Sequence, residues 1–323
     1  MSTQITTAFV KQYSANVQLL VQQMGSRLRG AVTLEAGKIG EEVYMDRISA
    51  TDAQKVTSRH GDSPQIDTPH DRRRVVPVDY DWGDLIDNPD RLRTLIDPAS
   101  AYSVNAAMAM GRAMDDEIIT AITGASTYGK SGGSSYTTLG AYNGGGVTAS
   151  QVISPETNSY AVDGENTGVD QPLTVGKLIH ARKILGAADA DDYDINGNSN
   201  LFLVVNAQQL GWLLTSTKVN SADYNQVRAL VAGDLNQYMG FNIIRSERLG
   251  TETDNSITCD KIVAFHRRGV GLCIWEDIVA RITERPDKRF SQYIYYRMTL
   301  GATRLEEERV IQINCKQGAV TAA

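Results

Sequence analysis

The sequence is poor in cysteine, with three in 323 residues (Cys259, Cys273 and Cys315), far apart and without a CxxC pair. That excludes a disulfide framework and a cysteine-built zinc site, and the apolar surroundings of all three predict buried thiols. Histidine is as scarce: His60, His70, His180 and His266 show no HxxxH spacing, so no metal centre is expected from them. No stretch of about 18 apolar residues occurs, which excludes a helical membrane span. The opening MSTQITTAFVKQYSA lacks the basic region and apolar block of a secretory signal. Synthesis inside a cell, with reduced thiols, is the expectation. Positive charge is not in excess either. The 32 basic and 38 acidic residues give −6, which argues against a dedicated high-affinity nucleic-acid binder.

What is present is ordinary globular material, 41% hydrophobic and 22% charged, long enough for about two domains and a large core. Val10, Tyr13, Val17, Leu20, Val21, Met24 and Leu28 recur at helical spacing. They predict an amphipathic helix over 9–28 that docks on its own domain or on a neighbouring subunit. Residues 40–97 show no helical period. A strand is predicted over Glu42–Ile48 and another over Arg74–Trp82, the second demoted to an edge by Pro77. Between them lie about two dozen polar residues, a length uncommon for a structureless loop inside a compact domain, which reads as a disordered, solvated loop or as an arm that orders on a partner. From Asp46 to Arg74 there are six basic and five acidic residues, a mixture that suits complementary protein contacts better than nucleic acid.

The clearest element follows. Asp97 caps, Pro98 fits a first turn and Gly124 fits a C-terminal cap, so residues 98–123 predict one long helix. Its apolar stripe is Val104, Ala107, Met108, Gly111, Met114, Ile118 and Ile122, with Arg112 and Asp116 paired on the far side. Residues 125–171 are rich in Gly, Ser, Thr, Tyr and Asn, and read as a surface insertion or short strands. Helices are expected over 172–190, 207–216 and 222–233, and strands over 201–206 and 240–249. The last third is strand-dominated. The fold class is α+β.

Two strings invite chemistry. Gly124–Ser131 matches GxxxxGKS, the phosphate loop of a nucleotide hydrolase. That loop needs a strand before it and a helix after it. Here a long helix precedes it, and Gly132-Gly133-Ser134-Ser135 follows, a poor helix start. Asp192-Tyr193-Asp194-Ile195-Asn196-Gly197 resembles the first half of a calcium loop, but Leu203 stands where a bidentate glutamate is required. No catalytic constellation, cofactor site or metal site is expected.

The order of these features is informative: an arm, an extended hairpin, a long helix, an α/β body and a return through strands. The blocks TSRHGDSPQIDTPHDRRRVV (57–76), DYDWGDLIDNPDRLRTLIDPASAYSVNAAMAMGRAMDDEII (79–119), SADYNQVRALVAGDLNQYMGFNIIRSERL (221–249) and ARITERPDK with YRMTLGATRLEEERV (280–310) carry it further. They resemble the major capsid proteins of tailed bacteriophages with the Hong Kong 97-type fold. The resemblance implies an N-terminal arm over 1–38, an extended loop over 39–82 and a peripheral domain over 83–171 with a spine helix at 98–123. An axial domain over 172–265 and return strands over 266–323 complete it. It implies a self-assembling, non-enzymatic shell subunit that forms pentamers and hexamers and encloses double-stranded DNA, which the wall touches weakly. Its partners would be a portal and, where present, scaffolding or decoration proteins. Assembly would occur in the host cytoplasm. An encapsulin-like compartment shares the implied fold and stays open here.

Three adjacent arginines, Arg72, Arg73 and Arg74, cannot all enter a core. They are the expected intersubunit contacts, with Asp115, Asp116, Glu306, Glu307 and Glu308 of another copy as candidate partners.

Overall fold

A computed structural model describes residues 22–59, 61–86, 98–136, 151–156, 170–190, 199–215, 237–254 and 257–317. The helix expected over 222–233, the calcium-like run at 192–197, His60 and residues 9–21 of the first helix lie outside the described residues. In chain order the strands are β1 (Thr33–Ala36), β2 (Val43–Ile48), β3 (His70–Val75), β4 (Val78–Ile86), β5 (Ser126–Tyr128), β6 (Ser134–Tyr136), β7 (Val152–Ile153) and β8 (Leu201–Val205). There follow β9 (Gln237–Tyr238), β10 (Phe241–Arg245), β11 (Thr251–Asp254), β12 (Ile257–His266), β13 (Val270–Arg285), β14 (Ser291–Arg304) and β15 (Val310–Lys316). The helices are α1 (Pro98–Thr123), α2 (Val175–Ala187) and α3 (Ala207–Thr215).

The chain divides into two compact units. The larger comprises Arg27–Val78, Met114–Trp275 and Leu300–Ala323. It is built on a seven-stranded sheet of order β7-β15-β12-β8-β10-β9, with β11 pairing β12. β8 lies parallel to β10 and antiparallel to β12. A strand flanked on both sides reads as a nearly unbroken apolar run, and LFLVV is that run. Leu201, Leu203 and Val205 form one core with Leu178 and Leu185 of α2, Leu213 of α3, and Ile262, Ile311 and Ile313. Both helices start on side-chain caps: Thr174 Oγ1 accepts the Lys177 amide at 3.3 Å and Asn206 Oδ1 the Gln209 amide at 2.8 Å. A smaller sheet of order β2-β3-β5-β6 carries the extended hairpin.

The smaller unit comprises Met1–Ser26, Asp79–Ala113 and Glu276–Thr299. Trp82 of β4 meets Tyr296 of β14 edge-to-face at 6.4 Å, and the Tyr296 hydroxyl bonds Ser103 of α1. Arg112 donates to Gln22 Oε1 at 2.7 Å, and Gln22 donates to Asn105 at 3.1 Å. A Cβ on Gly111 would lie 2.6 Å from the Gly25 backbone, so a glycine is what lets residues 25–26 cross the helix.

Several expectations are corrected. The strand predicted over 74–82 is two strands, β3 and β4, parted at Val76-Pro77, where proline has no amide to give a ladder. Residues 22–28 are not helical, and Gly25 takes φ +76. Val104 is 45% exposed, so the buried stripe of α1 starts at Ala106 and Met108. Arg112 and Asp116 do not pair: Arg112 bonds Gln22, and Asp116 takes Arg248. Residues 125–171 are not only surface, because Ser126, Gln151 and Ile153 are buried. The phosphate-loop string forms the β5–β6 hairpin, turning at Gly129 and Gly132. The element that follows it is strand β6, not the helix that would face a phosphate.

Candidate functional site: the root of the extended hairpin

β3 reads His-Asp-Arg-Arg-Arg-Val, and a strand alternates its faces. Arg73 therefore shares the inward face with Val75, while Arg72 and Arg74 point outward. Arg73 is fully buried. Its Nη2 donates to Glu307 Oε2 at 2.6 Å and its Nε to the Leu305 carbonyl at 3.0 Å, so the guanidinium fork spans two points. The Tyr128 ring lies under the same guanidinium, 5.6 Å from its carbon. From the neighbouring strand, Arg47 donates to Leu305 O at 3.0 Å, binds Asp71 Oδ2 at 2.7 Å, and lies 3.8 Å from Glu307.

Glu307 is the hub. It is 6% exposed and begins the turn between β14 and β15. Its second oxygen accepts from Ser126 at 3.2 Å and faces Arg304 Nε at 3.6 Å, and its carbonyl accepts from Gln151. Arg304, also fully buried, donates to the carbonyls of Ile122 and Gly124, each at 2.9 Å. These carbonyls end α1, where the helix dipole places about half a negative charge. Three guanidiniums thus meet two carboxylates, Glu307 and Asp71, and the helix terminus offsets part of the remaining charge. Burial draws the Arg304 guanidinium below its ordinary value, and Glu307 opposes the shift. Burial raises the Asp71 carboxyl, but the bonds from Arg47 and the Arg72 amide outweigh it and hold the group below the usual carboxylate range.

The other predicted residues stand apart. Arg72, 41% exposed, pairs across the ladder with Asp46 at 3.0 Å and lies over the Tyr44 ring. Arg74 pairs with Glu42. Asp115 is fully buried in α1 and accepts the backbone amides of Arg27 and Leu28. Asp116 holds Arg248 through a two-point pair that raises the guanidinium's affinity for its proton. Glu306 pairs with Arg309. Glu308 lines a groove of about 410 Å³ with His180 and Lys183, and burial with the Lys183 charge lowers the His180 pKa. Glu307, expected to meet an arginine of another copy, meets Arg73 of its own chain. Beyond the hub, Ile48, His70, Arg72, Gly129 and Lys130 line an open groove of about 860 Å³. Among the described residues no group of His, Cys, Asp and Glu is placed to hold a metal, and the cysteines are buried and unpaired with one another.

A family model described as phage capsid protein matches residues 5–317. The chain belongs to that family. No curated protein matches it in sequence. Solved capsids match its fold over almost the whole length. The capsid of cyanophage P-SCSP1u has a TM-score of 0.70 at 15% identity, covering 98% of this chain and 96% of that one. The cyanophage Pam1 capsid gives 0.70 at 14% identity and 98% of both chains. The capsid of Helicobacter pylori bacteriophage KHP30 gives 0.69 at 8% identity and 98% of both. The fold is the Hong Kong 97-type α+β capsid fold, and the chain is a major capsid protein of the tailed-phage kind. It is a structural shell subunit that assembles with copies of itself in the virion. The family match selects this reading over the encapsulin-like compartment.

Proposed function

We propose that this capsid subunit closes a phage head by reaching over neighbouring copies with residues 1–38 and with the hairpin at 39–82, around a body that keeps its shape. Residues 83–171 and 266–323 form the peripheral domain, with α1 as its spine, and 172–265 the axial domain that gathers at five-fold and six-fold positions. The carrying observation is the hairpin itself. Its root is tied into the subunit by Arg73 and Glu307, whereas residues 50–59 and 61–67 are exposed along their whole length. Many weak repeated contacts, each made by a reaching segment, give a shell its stability. Arg72, turned outward, carries the intersubunit role, and Arg73 and Asp115 hold the roots of the reaching segments. The subunit assembles in the host cytoplasm with a portal and with scaffolding or decoration proteins. Its −6 charge keeps contact with packaged double-stranded DNA weak. It turns over no substrate.

Electron microscopy of the purified chain tests this reading. Closed shells or five- and six-membered rings are expected. A protein that stays monomeric under all assembly conditions overturns it.

A further inference from the structure

We propose that Glu307 is the positioning residue that fixes the angle at which the extended hairpin leaves the subunit, so that the hairpin adapts outboard of Ser49 and Pro69 and not at its root. The inference rests on reading 39–82 as the intersubunit loop. A hinge needs one free axis. At this root both strands are pinned, β2 through Arg47 and β3 through Arg73, and both guanidiniums share the Leu305 carbonyl at 3.0 Å. Arg73 adds a second point 2.6 Å away on Glu307, and Arg304 ties the same carboxylate to the end of α1. Rotation about β3 would break a buried charged bond and leave Arg73 desolvated without its anion, and rotation about β2 would break the half-buried bond from Arg47 to the Leu305 carbonyl. Beyond the last rung, where the Ser49 amide meets the Pro69 carbonyl at 3.1 Å, exposed chain takes over. One sequence must fit both five-fold and six-fold surroundings in a closed shell. The adjustment therefore falls on 50–68, while Glu307 holds the base constant.

Hydrogen exchange on the full chain, read together with micrographs of its assemblies, tests the assignment. The variants are Glu307→Gln, Glu307→Asp and, as an outward control, Arg72→Ala. In the unaltered chain, amides of 44–47 and 72–75 should exchange at least a hundredfold more slowly than those of 50–59. Glu307→Gln should speed the root amides tenfold or more, leave 262–265 of β12 unchanged, and give shells of uneven diameter or open sheets. Glu307→Asp keeps the charge but withdraws it by one methylene, so it should fall between. Arg72→Ala should match the unaltered root. If Glu307→Gln yields no soluble subunit, Glu307→Asp and Arg73→Lys carry the same comparison. Unchanged root exchange with uniform shells in these variants would overturn the proposal. So would equal loosening of the root and β12, which would make Glu307 an ordinary core group. If the unaltered chain forms no shells, the capsid reading fails, and the exchange pattern still decides the role of Glu307.

Discussion

The carboxylate of Asp115, in the middle of α1, accepts the backbone amide of Leu28 at 3.1 Å across 87 residues of sequence. It also takes the Arg27 amide at 3.0 Å. This is the work of an N-cap, done by a residue on another element: two amides without a helix or ladder partner find a buried anion. The backbone at residues 27–28 is thereby fixed to α1.

Replacing that anion should be expensive. Asp115→Ala strips the acceptor from two amides, one of them on a fully buried residue, and should destabilise the unassembled subunit by about 3 kcal/mol. Asp115→Asn keeps one acceptor oxygen and should lose about half as much. Urea unfolding of soluble subunits measures both. Equal stability of Asp115→Ala and the unaltered chain would show that water serves these amides as well.

Glycines in the larger unit offer a paired test. A Cβ on Gly301 would overlap the Val76 carbonyl oxygen, which is backbone, whereas one on Gly271 would meet the Met45 sulfur at 2.7 Å. A thioether can turn aside and a main chain cannot. Gly301→Ala should destabilise by about 2–3 kcal/mol and Gly271→Ala by about 1. The reverse order in thermal unfolding would contradict the packing described for β14 against residues 75–76.

Much of this fold was legible because its signals are local. Pro98 opens α1 and Gly124 follows its last residue, so its bounds follow from the residues that favour helix ends, while the expected cap Asp97 lies outside the described residues. Leu201–Val205 announces a central strand by its unbroken apolar run. The anchors were not legible, because Arg73 and Glu307 are 234 residues apart and glutamates in a charged run read as a solvated face. Traces of both existed. Arg73 has the strand parity of Val75, and Asp115 sits four residues after Gly111 and three before Ile118, on the apolar stripe of α1. A charge in register with a core face is the signal that a partner lies elsewhere in the chain.

The buried thiols make stability depend on alkaline pH. Burial pushes Cys273 up to about 11 and Cys315 up to about 12. In the unfolded chain a thiol ionises near 8.5, at its ordinary value of about that size. Between these values the unfolded chain has shed protons that the fold retains. The stability the thiols contribute is therefore complete below about pH 8.5 and declines above it, by up to about 1.4 kcal/mol per pH unit for each thiol. Native subunit at pH 8 should react with a thiol reagent far more slowly than unfolded subunit, which should titrate as three thiols. Rapid labelling of the native protein would contradict the burial of these cysteines.

The three arginines of β3 should separate cleanly when changed one at a time. Arg72 and Asp46 are 41% and 69% exposed, and pairs so solvated contribute about 0–1 kcal/mol. Arg72→Ala should therefore leave subunit stability within about 0.5 kcal/mol of the unaltered chain. Its effect should fall on assembly, where a neighbour's carboxylate would engage the outward guanidinium at every repeat of the shell. Shell yield should fall, and the difference between Arg72→Ala and the unaltered chain should shrink as salt is raised, because added ions screen the same contact. Arg73→Ala should behave oppositely. It leaves Glu307 buried beside fewer cations and the Leu305 carbonyl with one donor less, and should destabilise the subunit by about 3 kcal/mol. Salt should affect that loss little, since the pair is shielded from ions. Arg74→Ala, which frees the half-exposed Glu42, should fall between the two in stability. Unfolding midpoints and shell counts by electron microscopy, taken across one salt series, distinguish the three. If Arg72→Ala assembles as well as the unaltered chain at every salt concentration, the outward face of β3 makes no contact between subunits. If Arg73→Ala is as stable as Arg72→Ala, the hub around Glu307 does not hold the hairpin.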